Sequence, residues 1–287
     1  MRGLVFRVGV VLEVVNTWFK SAEEPVREKK TSEEKPRAVF SAIALAARLR
    51  DFDPDELQVR VLESNAHRGI LNCSRQWGKS TVGAVMAVHR AMTRPGSLVV
   101  VASPSDRQSA EFVRKCREIL SELKIRVRGD GHNSISLVLP NKSRIIGLPG
   151  VDGTVRGFSA VSLMIIDEAS RVRPEIYKAL RPMLAVGGGD LWIMSTPAGK
   201  PGFFHSVWTH GGEEWLKVEA PATLCPRIPA AFLEEERGQM GLAWFRQEYL
   251  CEFIEGGSAM VDREVVERAF DSDVEPLHLA TQLRTWR

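Results

Sequence analysis

The chain has 287 residues, of which 44% are hydrophobic and 26% charged, with a formal net charge of +3. That balance excludes an intrinsically disordered chain and a disulfide-stapled miniprotein, because it supplies enough apolar side chain to close a core unaided. The mild basic excess permits contact with nucleic acid without demanding it.

The first fifty residues read as an N-terminal extension, partly disordered or helical. Its apolar stretch, Leu4 to Phe19, is interrupted by Arg7, Glu13 and Asn16, so it is too short and too charged to span a bilayer. A Glu/Lys/Arg/Pro-rich segment from Ser21 to Arg37 reads as a linker, and Val39 to Leu49 has an amphipathic helical pattern. No membrane association and no secretory leader are expected. Cys73, Cys116, Cys225 and Cys251 lie too far apart for a CxxC pair, and they read as reduced thiols.

From about Arg60 short apolar runs alternate with helical segments. Strands are predicted over Gly69–Cys73, Leu98–Ala102, Leu163–Asp167 and Leu191–Ser195. Helices are predicted over Lys79–Met92 and Asp106–Lys124. Ile135–Leu139 and Arg144–Leu148 flank Pro140-Asn141-Lys142, a hairpin signal. Strands without polar alternation, separated by helices, imply a mostly parallel sheet covered by helices on both faces, with a β-hairpin insertion. The expected class is α/β, of the P-loop NTPase kind. Residues 51–258 form the expected ATPase domain, and 259–287 a C-terminal linker or tail.

Three segments carry chemistry. Cys73-Ser-Arg-Gln-Trp-Gly-Lys-Ser80, followed by Thr81, fits the P-loop pattern except that Cys73 replaces the first glycine. In such a loop backbone N–H groups at a helix start cradle phosphates, Lys79 neutralises their charge and Ser80 ligates Mg²⁺. Met164-Ile-Ile-Asp167-Glu168 is an apolar strand ending in two carboxylates. Asp167 suits the Mg²⁺ shell, and Glu168 suits a base that takes a proton from the attacking water. Trp192-Ile-Met-Ser195-Thr196-Pro197 is an apolar strand ending in two hydroxyls, which suits sensing of a γ-phosphate or the lytic water. The bland alternatives are a chance Gly-Lys-Ser, an acidic turn, and ordinary strand termination at a proline.

Together these segments resemble the large terminase family, the ATP-driven motors that package phage DNA. Ser74-Arg75-Gln76-Trp77-Gly78-Lys79-Ser80 resembles its deviant Walker A loop. Leu163–Ser170 resembles its Walker B, and Met194–Phe204 its coupling motif. Asp55-Glu56-Leu57-Gln58 resembles its adenine-reading Q motif, and Phe245–Phe253 the end of its ATPase region. The resemblance implies that Gln58 binds adenine and that Ser74, Gln76, Trp77, Gly78, Lys79, Ser80 and Thr81 line the phosphates. It implies that Ser80 and Asp167 hold Mg²⁺, that Glu168 is the catalytic base, and that Arg75 responds to nucleotide state. Arg156 would be inserted into a neighbouring subunit's site, and Ser195 and Thr196 would couple hydrolysis to movement. It further implies ATP and Mg²⁺ as cofactors, double-stranded DNA, a homo-oligomeric ring, a viral portal and a small terminase subunit as partners, and the cytoplasm of a bacterial host.

The family's nuclease is not expected from this chain. Asp262, Asp271 and Asp273 lie in a short acidic tail and not on identifiable strands, whereas a two-metal nuclease needs several converging carboxylates. The cations Arg107, Arg114, Lys115, Arg117, Lys124, Arg126 and Arg128 could track DNA phosphates, but intervening Glu111, Glu118 and Glu122 favour a solvated helix face. Trp208, Trp215, Trp244 and Phe203 read as core. Two other functions stay open: a prophage remnant that binds nucleotide without turnover, and another P-loop helicase or DNA remodeller.

Overall fold

The computed structural model describes residues 40–148, 157–200 and 202–254. The linker reading of Ser21–Arg37, the acidic tail and Arg156 lie outside the described residues. Helix α1 (Ala42–Ala46) is capped by the Ser41 hydroxyl, which accepts from the Ala44 N–H at 3.1 Å, and it buries Ala42, Leu45 and Ala46. The folded body therefore begins before residue 51. Helix α2 (Glu56–Leu62) opens with a capping box in which Asp55 and Gln58 satisfy each other's backbone N–H groups.

Strand β1 (Arg68–Cys73) runs into helix α3 (Lys79–Thr93). Strand β2 (Leu98–Ala102), buried at every position, runs into helix α4 (Asp106–Glu122). Strands β3 (Ser136–Val138) and β4 (Arg144–Leu148) form the predicted hairpin. The hairpin is not an insertion, however. β4 pairs in parallel with β2 as part of the main sheet, and only β3, the edge strand, is antiparallel. The turn is pinned by Asn141, whose side-chain amide donates to the Ala91 carbonyl at the end of α3 at 2.8 Å.

Strand β5 (Leu163–Asp167) leads through a 3₁₀ turn (Ala169–Arg171) to helix α5 (Pro174–Leu180). Strand β6 (Asp190–Ser195) precedes helix α6 (Phe203–His210), and strand β7 (Trp215–Ala220) closes the sheet. Helices α7 (Ala230–Met240) and α8 (Leu242–Leu250) follow, packed around Ala222, Leu233, Phe245 and Tyr249. The sheet order is β3-β4-β2-β5-β6-β1-β7.

Alternate residues of the central strands serve two cores. Leu71, Val99, Val101, Ile165 and Met194 face the layer of α1 to α4, while Ile70, Val100, Met164, Ile166 and Ile193 face α5 and α6. Both faces are thus covered, as an all-apolar parallel sheet requires. The four cysteines are free and buried. Phe203 is core, and Trp208 and Trp215 pack against the core, but Trp244 stands half exposed on α8. The charge run on α4 is partly spent within the helix: Arg114 pairs with Glu111 and Glu118 on the solvent face.

A close fit fixes the centre of the sheet. Gly69 of β1 lies in register with Trp192 of β6, and a Cβ at Gly69 would stand 2.2 Å from the indole Cε3. Trp192 is buried, so the ring has nowhere to retreat. Gly69→Ala is therefore expected to destabilise the protein by about 1–3 kcal/mol, as overpacked cores do. Adding Trp192→Leu should recover part of that loss in urea denaturation.

Candidate functional site

The site forms where three strands end. β1 carries the P-loop, β5 carries the two carboxylates, and β6 lies between them, pairing with both. The two motifs therefore do not come from neighbouring strand tips. The strand that ends in Ser195-Thr196 separates them, which places its hydroxyl end between phosphate loop and acidic pair.

The loop owes its shape to local backbone conformation. Gln76 and Gly78 both have positive φ, 62° and 97°, which folds the chain back before α3 begins at Lys79. Helix-start N–H groups lack intrahelical acceptors and carry positive partial charge, which favours an anion there. The Ser74 N–H donates to the Ala220 carbonyl of β7 at 2.9 Å, so the loop is moored to the edge strand.

Lys79 reaches across to the acidic pair, with Nζ 2.9 Å from Glu168 Oε1. Burial pulls the ammonium towards neutrality, but Glu168 and Asp167 together outweigh it, and the proton is held more tightly than usual. Asp167 is pushed the other way from an ordinary carboxyl. Burial raises its pKa, and Lys79 opposes that rise. Its Oδ2 accepts from the Ser80 hydroxyl at 3.0 Å and its Oδ1 from the Glu168 N–H at 3.1 Å. Glu168 itself sits in the left-handed region at φ 52°, an uncommon conformation for a residue with a side chain. Its Oε2 accepts from Arg171 Nη1 at 3.2 Å.

At the tip of β6 the Ser195 and Ser170 hydroxyls lie 2.7 Å apart, and Ser170 donates to the Thr196 carbonyl at 2.7 Å. The Thr196 and Ser74 hydroxyls are buried without a hydrogen-bond partner. Orphaned polar atoms beside a phosphate loop fit a polar ligand that completes them. The donor set also fits Mg²⁺. A serine hydroxyl touching one carboxylate leaves most of the shell to water and phosphate, the binding style of that ion. Among the described residues no group of three or more His, Cys, Asp or Glu could hold a metal by itself.

Several expected site residues occupy different positions. The Trp77 ring is buried in the core, so only its backbone belongs to the loop. Gln58 is fully buried, and its amide Nε2 donates to the Trp77 carbonyl at 2.7 Å while its Oε1 serves the capping box. In this arrangement Gln58 is a strut between α2 and the P-loop. Arg227 donates to the same carbonyl at 2.8 Å and pairs with Asp55. Arg75 and Gln76 are exposed beside the loop, and Thr81 lies in the first turn of α3, its N–H donating to the Gly78 carbonyl at 2.9 Å.

The sequence did not single out Glu248, Arg171 or Ser170. Glu248, on α8, is buried and accepts from Arg75 Nε, and Arg171 Nη2 stands 3.5 Å from its other oxygen. The Arg75 N–H also donates to the Glu248 carbonyl at 3.1 Å. Glu248 and Ser170 both fall inside motifs that the sequence offered, and no spacing rule names their partners.

Residues 70–268 match the family model of the terminase large subunit, T4-like-virus type, N-terminal region. The chain belongs to this family. The terminase large subunit of Escherichia phage T5 is 23% identical over 205 residues, which cover 68% of this chain and 46% of that protein. The chain thus spans about half the length of this curated terminase relative. Among solved terminases, the large terminase ATPase domain of Thermus phage P74-26 superposes with a TM-score of 0.64 at 21% identity, covering 78% of this chain and 100% of that one. The HK97 bacteriophage large terminase gives 0.63 at 17% identity, over 80% of this chain and 58% of its own. The fold is that of the terminase ATPase domains. Among the described residues no helix is long and apolar enough to cross a membrane.

The strut role of Gln58 carries a stability consequence in this chain. Gln58→Leu removes the side-chain half of the capping box and the bond to the Trp77 carbonyl, which still accepts from Arg227, and two lost hydrogen bonds cost about 1–3 kcal/mol. A loss in that range, measured by urea denaturation without nucleotide, is the expected outcome.

Proposed function

We propose that this chain is the ATP-hydrolysing motor domain of a DNA-packaging terminase and couples hydrolysis to translocation of duplex DNA. The observation that carries this reading is the convergence of Lys79 and Ser80 with Asp167 and Glu168 around the hydroxyl end of β6. Family membership supports it. So do the nucleotides in a structural relative, since the large terminase of a thermophilic bacteriophage has been solved with ADP and with ATP-γ-S.

In this reading the P-loop N–H groups and Lys79 take the phosphates. Ser80 and Asp167 hold Mg²⁺, which when bound neutralises phosphate charge. Glu168 takes the proton of the attacking water once its carboxylate is free. Ser195 and Thr196 lie between loop and base, where a change at the phosphate would reach the end of β6. Arg156 acts from a neighbouring copy in a homo-oligomeric ring, as a planar cation suited to transition-state charge. Portal, small terminase subunit and double-stranded DNA are the proposed partners, in the cytoplasm of an infected or lysogenic bacterium.

A binding-only remnant is the second reading, and the same experiment separates the two. Lys79→Ala should weaken ATP binding about tenfold or more, the value of a charge-assisted phosphate contact. Glu168→Gln should retain binding and lose turnover by about 10²–10⁴-fold. No phosphate release from wild type, with or without DNA, would leave only the remnant. For the ring, Arg156→Ala should lose activity only at protein concentrations where copies assemble. Activity equal to wild type at every concentration refutes its role in trans.

A further inference from the structure

Both oxygens of the proposed base are occupied. Glu168 Oε1 faces the Lys79 ammonium at 2.9 Å, and Oε2 accepts from Arg171 at 3.2 Å. A carboxylate engaged by side chains on both oxygens is not placed against an attacking water. For Glu168 to act, both cations need somewhere else to go. Lys79 has an alternative partner in the phosphates of a bound nucleotide. The alternative for Arg171 is already beside it: Glu248, whose Oε1 stands 3.5 Å from Arg171 Nη2.

Glu248 is the unusual group in this arrangement. Its side chain is 1% exposed, on a helix that is otherwise remote from the acidic pair in sequence. A buried carboxylate demands a cation or several donors. Here it takes Arg75 on Oε2 and has Arg171 within reach of Oε1. Arg75 is more than half exposed and belongs to the phosphate loop. The hydrogen bond to Glu248 holds its guanidinium charged against the pull of burial. A triphosphate in that loop is a competing, more highly charged acceptor for the same guanidinium.

We propose that Glu248 is a positioning residue that exchanges one arginine for the other. When anionic phosphate draws Arg75 away, the buried carboxylate is left short of one cation and recruits Arg171. Arg171 then leaves Glu168 Oε2, and the base is released only when the loop is filled. The exchange ties nucleotide occupancy to α8, since the same residue receives the Arg75 N–H through its backbone carbonyl. This inference rests on the ATPase reading above and assigns a role to a residue that reading leaves unused.

The test compares phosphate release and the affinity for a fluorescent ATP analogue in wild type, Glu248→Gln and Glu248→Gln/Arg171→Gln, using the full chain. Glu248→Gln keeps the shape and one acceptor oxygen for Arg75 but removes the recruiting charge, so Arg171 stays on the base. The expected result is kcat lowered tenfold or more with analogue affinity within about threefold of wild type. The double variant removes the restraint together with its release, and it is expected to recover most of the lost kcat. Wild-type kcat in Glu248→Gln overturns the exchange, as does a double variant no faster than the single one. If Glu248→Gln does not fold, the double variant, which leaves one arginine fewer to satisfy, is read against wild type. A kcat within about fivefold supports the exchange, and a deeper loss overturns it. Absence of turnover in wild type itself refutes the ATPase reading, an outcome distinct from wild-type turnover that Glu248→Gln fails to change.

Discussion

The site depends on one buried cation facing two carboxylates. Lys79 cannot lose its charge without leaving Asp167 and Glu168 to repel each other, and burial makes the charge of Asp167 depend on Lys79. The consequence is a cluster whose charge is close to balanced while the loop is empty. Any phosphate that enters must take Lys79 for itself. In the ATPase reading proposed above, the acidic side would then need a replacement cation, which a divalent ion held by Ser80 and Asp167 would supply. In that reading, binding of phosphate and of metal would be coupled by electrostatics.

Much of the fold was legible because parallel strands buried on both faces leave an unmistakable record. Leu98–Ala102 and Leu163–Asp167 contain no polar interruption before their last residue, and their predicted and observed bounds coincide. β7 was missed for the opposite reason. Trp215–Ala220 is an edge strand with Lys217 and Glu219 in it and only two buried residues, so its pattern resembles an exposed loop. The hairpin was read correctly as a turn but misplaced in the architecture, because nothing in Arg144–Leu148 states which strand will lie on its far side.

The site was legible to the extent that its chemistry is local. Lys79-Ser80 and Asp167-Glu168 announce themselves by sitting at strand-to-helix or strand-to-turn junctions. Glu248 does not, since it is separated from Arg75 by 173 positions and meets it only through the packing of α8 on the strand tips. Gln58 shows the limit from another side. A glutamine ahead of a P-loop has an amide that can serve a base or a backbone carbonyl, and only the fold reveals that the Trp77 carbonyl lies within reach. The strain at Glu168 and Gln76 is likewise a product of tertiary constraint, as neither residue type favours positive φ.

The burial of every cysteine has a practical side. Cys73 and Cys116 are wholly enclosed, and burial makes both thiols reluctant to ionise. A maleimide dye added to the native protein meets no reactive sulfur, so one cysteine introduced on the solvent face of α4 or α7 would become the sole attachment point. Single-fluorophore tracking of this chain therefore needs no prior removal of its natural thiols, and gradual labelling of the unmodified protein would itself report how often the interior opens.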